Sequence, residues 1–94
     1  MGAARAGVIV LMKSIARELG RAGVTANTVS LGMVETGHDP KWLEANREKL
    51  IRFYPTRRLG LAEDIVPTVA LLASPRSGWI TGQVISVSGG YSMV

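Results

Sequence analysis

The sequence predicts an α/β chain that forms one end of a larger parallel sheet with helices packed on it. Three observations carry this reading. A run with helical spacing opens the chain, two short runs rich in β-branched residues lie far apart, and two further helical segments fall between those runs. The order is helix, strand, helix, helix, strand. Two strands joined through a helical crossover make the unit of right-handed parallel connection. Two strands with three helices do not complete a doubly wound sheet, so the chain reads as the end of one.

The first helix is expected from Gly2 to about Ala22, because Val8, Leu11, Met12, Ile15, Ala16 and Leu19 recur on one face. Ile9 and Val10 widen that stripe, which predicts cover on two sides. Lys13, Arg17 and Arg21 suit the C-terminal end of the dipole, and Gly23 suits the residue after the helix. Val24 to Ser30, bounded by Gly23 and Gly32, reads as a buried strand, with Asn27 bonding backbone where the sheet meets its loops. The following "LGMVETGHDP" has glycines, a proline and no period, and reads as a loop. A second helix is expected from Lys41 to about Phe53, with Trp42, Leu43, Ala45, Leu50 and Phe53 toward its apolar side. The third runs from about Ala62 to Ala73. Glu63 and Asp64 fit its first turn, Pro67 must lie early or kink it, and Pro75 closes it. Gln83 to Val87 is the second strand, ended by Gly89 and Gly90.

A chain of 94 residues buries only about 60 to 65% of its unfolded surface. With 47% hydrophobic residues and a mean hydropathy of +0.22, it is expected to leave apolar surface that a partner must cover. No run approaches the roughly 18 apolar residues of a membrane span, and Val8–Met12 is too short for a signal-peptide core. A soluble cytoplasmic protein is expected. Position 6 is Ala6, which breaks the myristoylation pattern after Gly2. Without cysteine, and with His38 as the single histidine, no disulfide or metal centre is expected. The net charge of +4 comes from one segment, where Lys41, Arg47, Lys49, Arg52, Arg57 and Arg58 face only Glu44 and Glu48. A solvated helix face is the plainer reading of that segment, and contact with an anionic ligand is the alternative.

Four segments in order carry a resemblance: "ARAGVIVLMKSIARELG", "VTANTVSLGMVET", "RRLGLAEDIVPTVALLAS" and "ITGQVISVSGGYSMV". Together they resemble the C-terminal portion of the short-chain dehydrogenase/reductase family over essentially the whole chain. The resemblance implies the C-terminal part of a Rossmann-like doubly wound sheet, here residues 1–94 as an incomplete segment of a single NAD(P)-binding domain. In that family a Tyr-x-x-x-Lys pair lies on the first of these helices. The tyrosine exchanges a proton with the substrate oxygen, and the lysine holds the nicotinamide ribose and lowers the tyrosine pKa. Laid on "MGAAR", Met1 takes the tyrosine position and Arg5 the lysine position. In a second alignment, like the family's enoyl reductases, the tyrosine precedes Met1 and Arg5 again takes the lysine position. Arginine keeps the charge with a longer, planar head that can contact a ribose or phosphate.

The family's glycine-rich phosphate turn has no counterpart here, since neither G-x-G nor T-G-x-x-x-G occurs. What the resemblance leaves is the far wall of a site. Gly32, Val34 and Thr36 would line the nicotinamide and pyrophosphate edge of NAD or NADP, with the Thr36 hydroxyl as donor; the alternative is that Thr36 caps a turn. Leu31 stands where the family has proline, and Ser88 where its tail motif has Asp. Gly37 to Pro55 corresponds to the substrate lid, where His38, Trp42 and Tyr54 would be placed to touch a substrate. The plainer roles are solvation in a polar loop for His38 and packing for Trp42.

The resemblance therefore implies an NAD(P)-dependent oxidoreductase acting on a carbonyl, hydroxyl or acyl-thioester substrate, with the isolated 94-residue chain inactive. The alternative is a non-catalytic dimerisation or interaction module derived from such an enzyme. A homo-oligomer is expected, through the first helix and the exposed edge of the first strand, and neither nucleic acid nor membrane is an expected partner.

Overall fold

The computed structural model describes residues 2–93. Its elements keep the predicted order: helix α1 (Ala3–Leu19), strand β1 (Thr28–Leu31), helix α2 (Pro40–Ile51), helix α3 (Ala62–Leu72) and strand β2 (Val84–Val87). Single 3-10 turns occupy Gly20–Ala22 and Pro75–Ser77. β1 and β2 form one sheet. The Thr28 N–H donates to the Gln83 carbonyl at 2.9 Å and the Gly32 N–H to the Val87 carbonyl at 3.1 Å, so the strands advance together and pair in parallel. The chain divides into two compact units. One comprises the chain up to Val29 with Val69–Ile85, and the other Ser30–Thr68 with the residues from Ser86 onward.

In the first unit α1 tightens into the 3-10 turn and stops at Gly23, which takes φ 81° and donates to the Gly20 carbonyl. This is the terminator its sequence predicts, since a residue without a Cβ enters the left-handed region at little cost. The buried face differs from the expected one. Ala16 is buried with Ile9, Met12 and Ile15 half-buried beside it, whereas Val8, Val10, Leu11 and Leu19 are exposed. The Lys13 ammonium donates to the Gly82 carbonyl at 2.8 Å.

Asn27 has the structural role expected of it. Its amide donates to the Ile80 carbonyl and its carbonyl oxygen accepts from the Gln83 N–H, both at 3.0 Å. The Ala26 N–H is taken by the Thr81 hydroxyl at 3.0 Å. These side-chain bonds replace the ladder before Thr28, which is why the strand begins later than Val24.

The second unit is built on Leu43, Tyr54 and Leu59, with Met33, Leu50 and Ile51 packed around them. Asp39 caps α2 by accepting from the Lys41 N–H at 3.0 Å, and Pro40 fills the first helical position, where it needs no donor. The helix ends at Ile51, so Phe53 lies beyond it and is 67% exposed instead of packed. Trp42 is also exposed and stacks on His38, with ring centroids 5.7 Å apart. At the start of α3 the Asp64 carboxylate reaches back to the Leu61 N–H at 2.7 Å and takes Arg58 in a fork at 2.7 and 2.9 Å. Pro67 sits inside α3, so of the two expectations, an early position or a kink, the early one is not met. In the tail, the Ser88 hydroxyl accepts from the Ser92 N–H at 3.1 Å, so serine closes this turn where the family has Asp.

Candidate functional site

The candidate site lies in the second unit, on the loop that leaves β1. Four bonds fix this loop. The Gly32 N–H goes to Val87 O, Gly60 N–H to Met33 O, Glu35 N–H to Gly60 O, and the Met33 N–H to the Tyr54 hydroxyl, at 3.1, 2.9, 2.9 and 3.0 Å respectively. The middle pair makes a parallel bridge between Val34 and Gly60. Proline is absent at Leu31, yet bonds on both sides of the loop supply the constraint that a fixed φ would have given.

Gly32 is required by space. A Cβ there would stand 3.0 Å from Ser88 Cα and 3.1 Å from Tyr54 Cε1, inside ordinary contact distance. The backbone of the loop therefore lies directly against the end of β2 and the tyrosine ring. Gly89, with φ 61°, has the same constraint, because a Cβ there would meet the Thr56 hydroxyl at 2.5 Å.

Gly32, Val34 and Thr36 line one shallow depression together with His38, Tyr54 and Tyr91. Thr36 is exposed in the turn, and its hydroxyl takes no part in the four bonds that hold the loop. A narrower cleft of ≈ 250 Å³ on the same loop is lined by Gly32, Val34, Thr56, Arg58, Ser86 and Ser88. Arg58 is not free to serve an anion there. It is committed to Asp64, and the Arg58 hydrogen bond with the Leu61 N–H behind it holds the Asp64 carboxyl down at about 2. Arg47 is likewise paired, with Glu35 at 3.0 Å. Three of the six bases in the charged segment thus bond within the chain, Arg57 through the Arg52 carbonyl, while Lys41, Lys49 and Arg52 stand exposed.

Tyr54 is a clamp. It is 6% exposed, its hydroxyl accepts from Met33, and its ring stacks on Tyr91 at 5.1 Å. Arg5 lies exposed on α1 in the other unit. Met1, aligned with the family's tyrosine, lies outside the described residues. The residues that sequence reasoning missed are Arg58 and Asp64 as a pair; the acid in the first turn of α3 was visible, but its cationic partner was not.

Residues 1–92 match a family model described as enoyl-(acyl carrier protein) reductase. A subunit of (2S)-[(R)-hydroxy(phenyl)methyl]succinyl-CoA dehydrogenase, BbsD of Thauera aromatica, is 42% identical over 93 residues, covering 96% of this chain and 36% of the relative. The 3-oxoacyl-[acyl-carrier-protein] reductase FabG of Vibrio cholerae is 42% identical over 92 residues, covering 98% of this chain and 38% of the relative. Among solved structures, YwfH, an NADPH-dependent reductase involved in bacilysin biosynthesis, superposes with a TM-score of 0.86 at 29% identity, over 95% of this chain and 38% of that one. A short-chain dehydrogenase/reductase from Burkholderia thailandensis gives 0.86 at 37% identity, over 95% and 36%. The chain belongs to the short-chain dehydrogenase/reductase family, and its fold is the C-terminal part of that family's Rossmann-like α/β sheet. It spans less than two fifths of the length of these relatives. No helix among the described residues is long and apolar enough to cross a membrane.

Proposed function

We propose that this chain forms the nicotinamide-edge wall of an NAD(P)-dependent oxidoreductase acting on a carbonyl, hydroxyl or acyl-thioester substrate. The observation that carries the reading is the fixed loop from Gly32 to Thr36. Its backbone is held by four internal bonds, and it leaves the Thr36 hydroxyl outside them. A dinucleotide fits such a wall, which offers one uncommitted donor at Thr36, the apolar Val34, and a close-packed glycine that keeps the backbone in place. The nicotinamide, when bound, supplies or accepts the hydride. The chain's own part is to position it: Thr36 donates to the cofactor, Val34 keeps water from the ring, and Tyr54 holds the loop in register. By the resemblance alone, Arg5 takes the family's lysine position, where arginine keeps the positive charge.

The isolated 94-residue chain lacks the glycine-rich turn and a tyrosine ahead of Arg5 at the family's spacing, so it is expected to be inactive by itself. A non-catalytic interaction module is the second reading, favoured by the exposed Val8, Val10 and Leu11 on α1.

A chimaera tests the first reading. This chain replaces the matching segment of YwfH, and NADPH is titrated by nicotinamide fluorescence. Saturable binding is expected, weakened about tenfold by Thr36→Val through loss of one donor. A chimaera that is folded by circular dichroism but binds no NADPH contradicts the reading.

A further inference from the structure

We propose that Tyr91 is a positioning residue for the loop from Gly32 to Thr36: it fixes the Tyr54 ring, and the Tyr54 hydroxyl in turn fixes the loop at Met33. The inference rests on the cofactor reading of that loop, and adds that the tail sets how well the loop receives the dinucleotide.

The backbone brings the tail to Tyr54. Gly89 and Gly90 take positive φ, 61° and 88°, and cross the segment after Tyr54 closer than a side chain allows, since a Cβ on Gly90 would stand 2.8 Å from Pro55 Cγ. The Thr56 N–H donates to the Gly89 carbonyl at 3.2 Å, which ties the two segments together. The tail then turns back. The Tyr91 N–H donates to the Ser88 carbonyl at 3.1 Å, and the Ser92 carbonyl accepts from the Ser86 hydroxyl at 2.7 Å. With the Ser92 N–H on the Ser88 hydroxyl, residue 91 is bonded on both sides and its place against Tyr54 is set.

The side chains carry that constraint to the loop. The two rings stack at 5.1 Å with their planes 26° apart. Tyr54 is 6% exposed and Tyr91 60%, so Tyr91 is the outer ring and closes a face of the inner one. The edge of Tyr54 is held as well, because its Cε1 lies 3.1 Å from where a Gly32 Cβ would be. A ring held on a face and an edge loses its rotamer freedom. Its hydroxyl then stays 3.0 Å from the Met33 N–H, while the Met33 carbonyl is taken by Gly60. Met33 is thus fixed on both sides, between Gly32 and Val34. Without Tyr91 the open face frees the Tyr54 ring, and water competes for the Met33 N–H. Tyr91 also lines the depression that holds Gly32, Val34 and Thr36, so direct contact with a ligand is the rival role that a test must separate.

The test follows amide exchange at Met33 in the 94-residue chain and in the YwfH chimaera, and NADPH binding in the chimaera. Tyr91→Ala is expected to speed Met33 exchange and weaken NADPH about three- to tenfold, the worth of one aromatic stack. Tyr91→Phe keeps the ring and is expected to restore both. Tyr54→Phe keeps the stack but removes the acceptor, and is expected to speed exchange and weaken binding at least as much. Adding Tyr91→Ala to Tyr54→Phe is then expected to weaken binding little further, because both act through one hydroxyl. A Tyr91→Ala variant that lowers the melting temperature but leaves Met33 exchange and NADPH affinity unchanged overturns the proposal. So does a full further loss in the double variant, which assigns Tyr91 to the ligand itself. A folded chimaera that binds no NADPH contradicts the cofactor reading instead; there, unchanged Met33 exchange in Tyr91→Ala still overturns the hold on the loop, and faster exchange sustains it.

Discussion

Asp64 and Arg57 show how single residues hold the second unit. The Arg58 fork and the Leu61 N–H keep the Asp64 carboxyl at about 2, below its ordinary 3.8. A folded-state value below the unfolded one gives stability that is complete above the ordinary value and is lost as pH falls from there through about 2. A carbon-detected NMR titration of the Asp64 carboxyl is expected to show its midpoint near 2; one near the ordinary value means the fork does not persist in solution. Arg57 takes φ 57°, the left-handed region, and donates to the Arg52 carbonyl at 3.1 Å. Both Arg57→Gly and Arg57→Ala lose that bond, but only glycine relieves the backbone. The left-handed penalty exceeds glycine's extra unfolded-state entropy, so Arg57→Gly is expected to be about 0.5–1 kcal/mol more stable than Arg57→Ala in urea unfolding.

Elements were readable from the sequence where their signals are local, and less so where a bond comes from far along the chain. The 3.6-residue period and Gly23 located α1 and its stop, and the acids located the start of α3. "HDP" looks like plain loop, yet Asp39 and Pro40 are the cap and first residue of α2. The start of β1 was invisible, because Ala26 and Asn27 are bonded to Thr81, Ile80 and Gln83, more than fifty residues away. Likewise the depth of α1 could not be judged from periodicity, which cannot say how much of a wide apolar stripe a sheet of two strands will cover. The loop residues Gly32, Val34 and Thr36 came from family resemblance, whereas the clamp by Tyr54 needed the fold, since Met33 lies 21 residues before it. The loop also gives the sharpest packing prediction. Gly32→Ala places a methyl against the Ser88 backbone, which cannot swing aside, and is expected to cost about 1–3 kcal/mol in thermal or urea unfolding. A neutral effect would mean that loop and tail separate easily.

At the scale of the whole molecule, the chain divides into two compact units, and the loop from Gly32 to Thr36 belongs to the second. The exposed Val8, Val10 and Leu11 on α1 account for the expectation that the chain assembles. The central claim is narrower: the loop from Gly32 to Thr36 meets the nicotinamide dinucleotide. The direct measurement is an amide NMR titration of NADPH into the YwfH chimaera carrying this chain. The account predicts that the Gly32, Val34 and Thr36 amides shift in step with saturation, while the exposed face of α2 at Lys41 and Lys49 does not respond. Saturable binding with shifts elsewhere and none in this loop would contradict it.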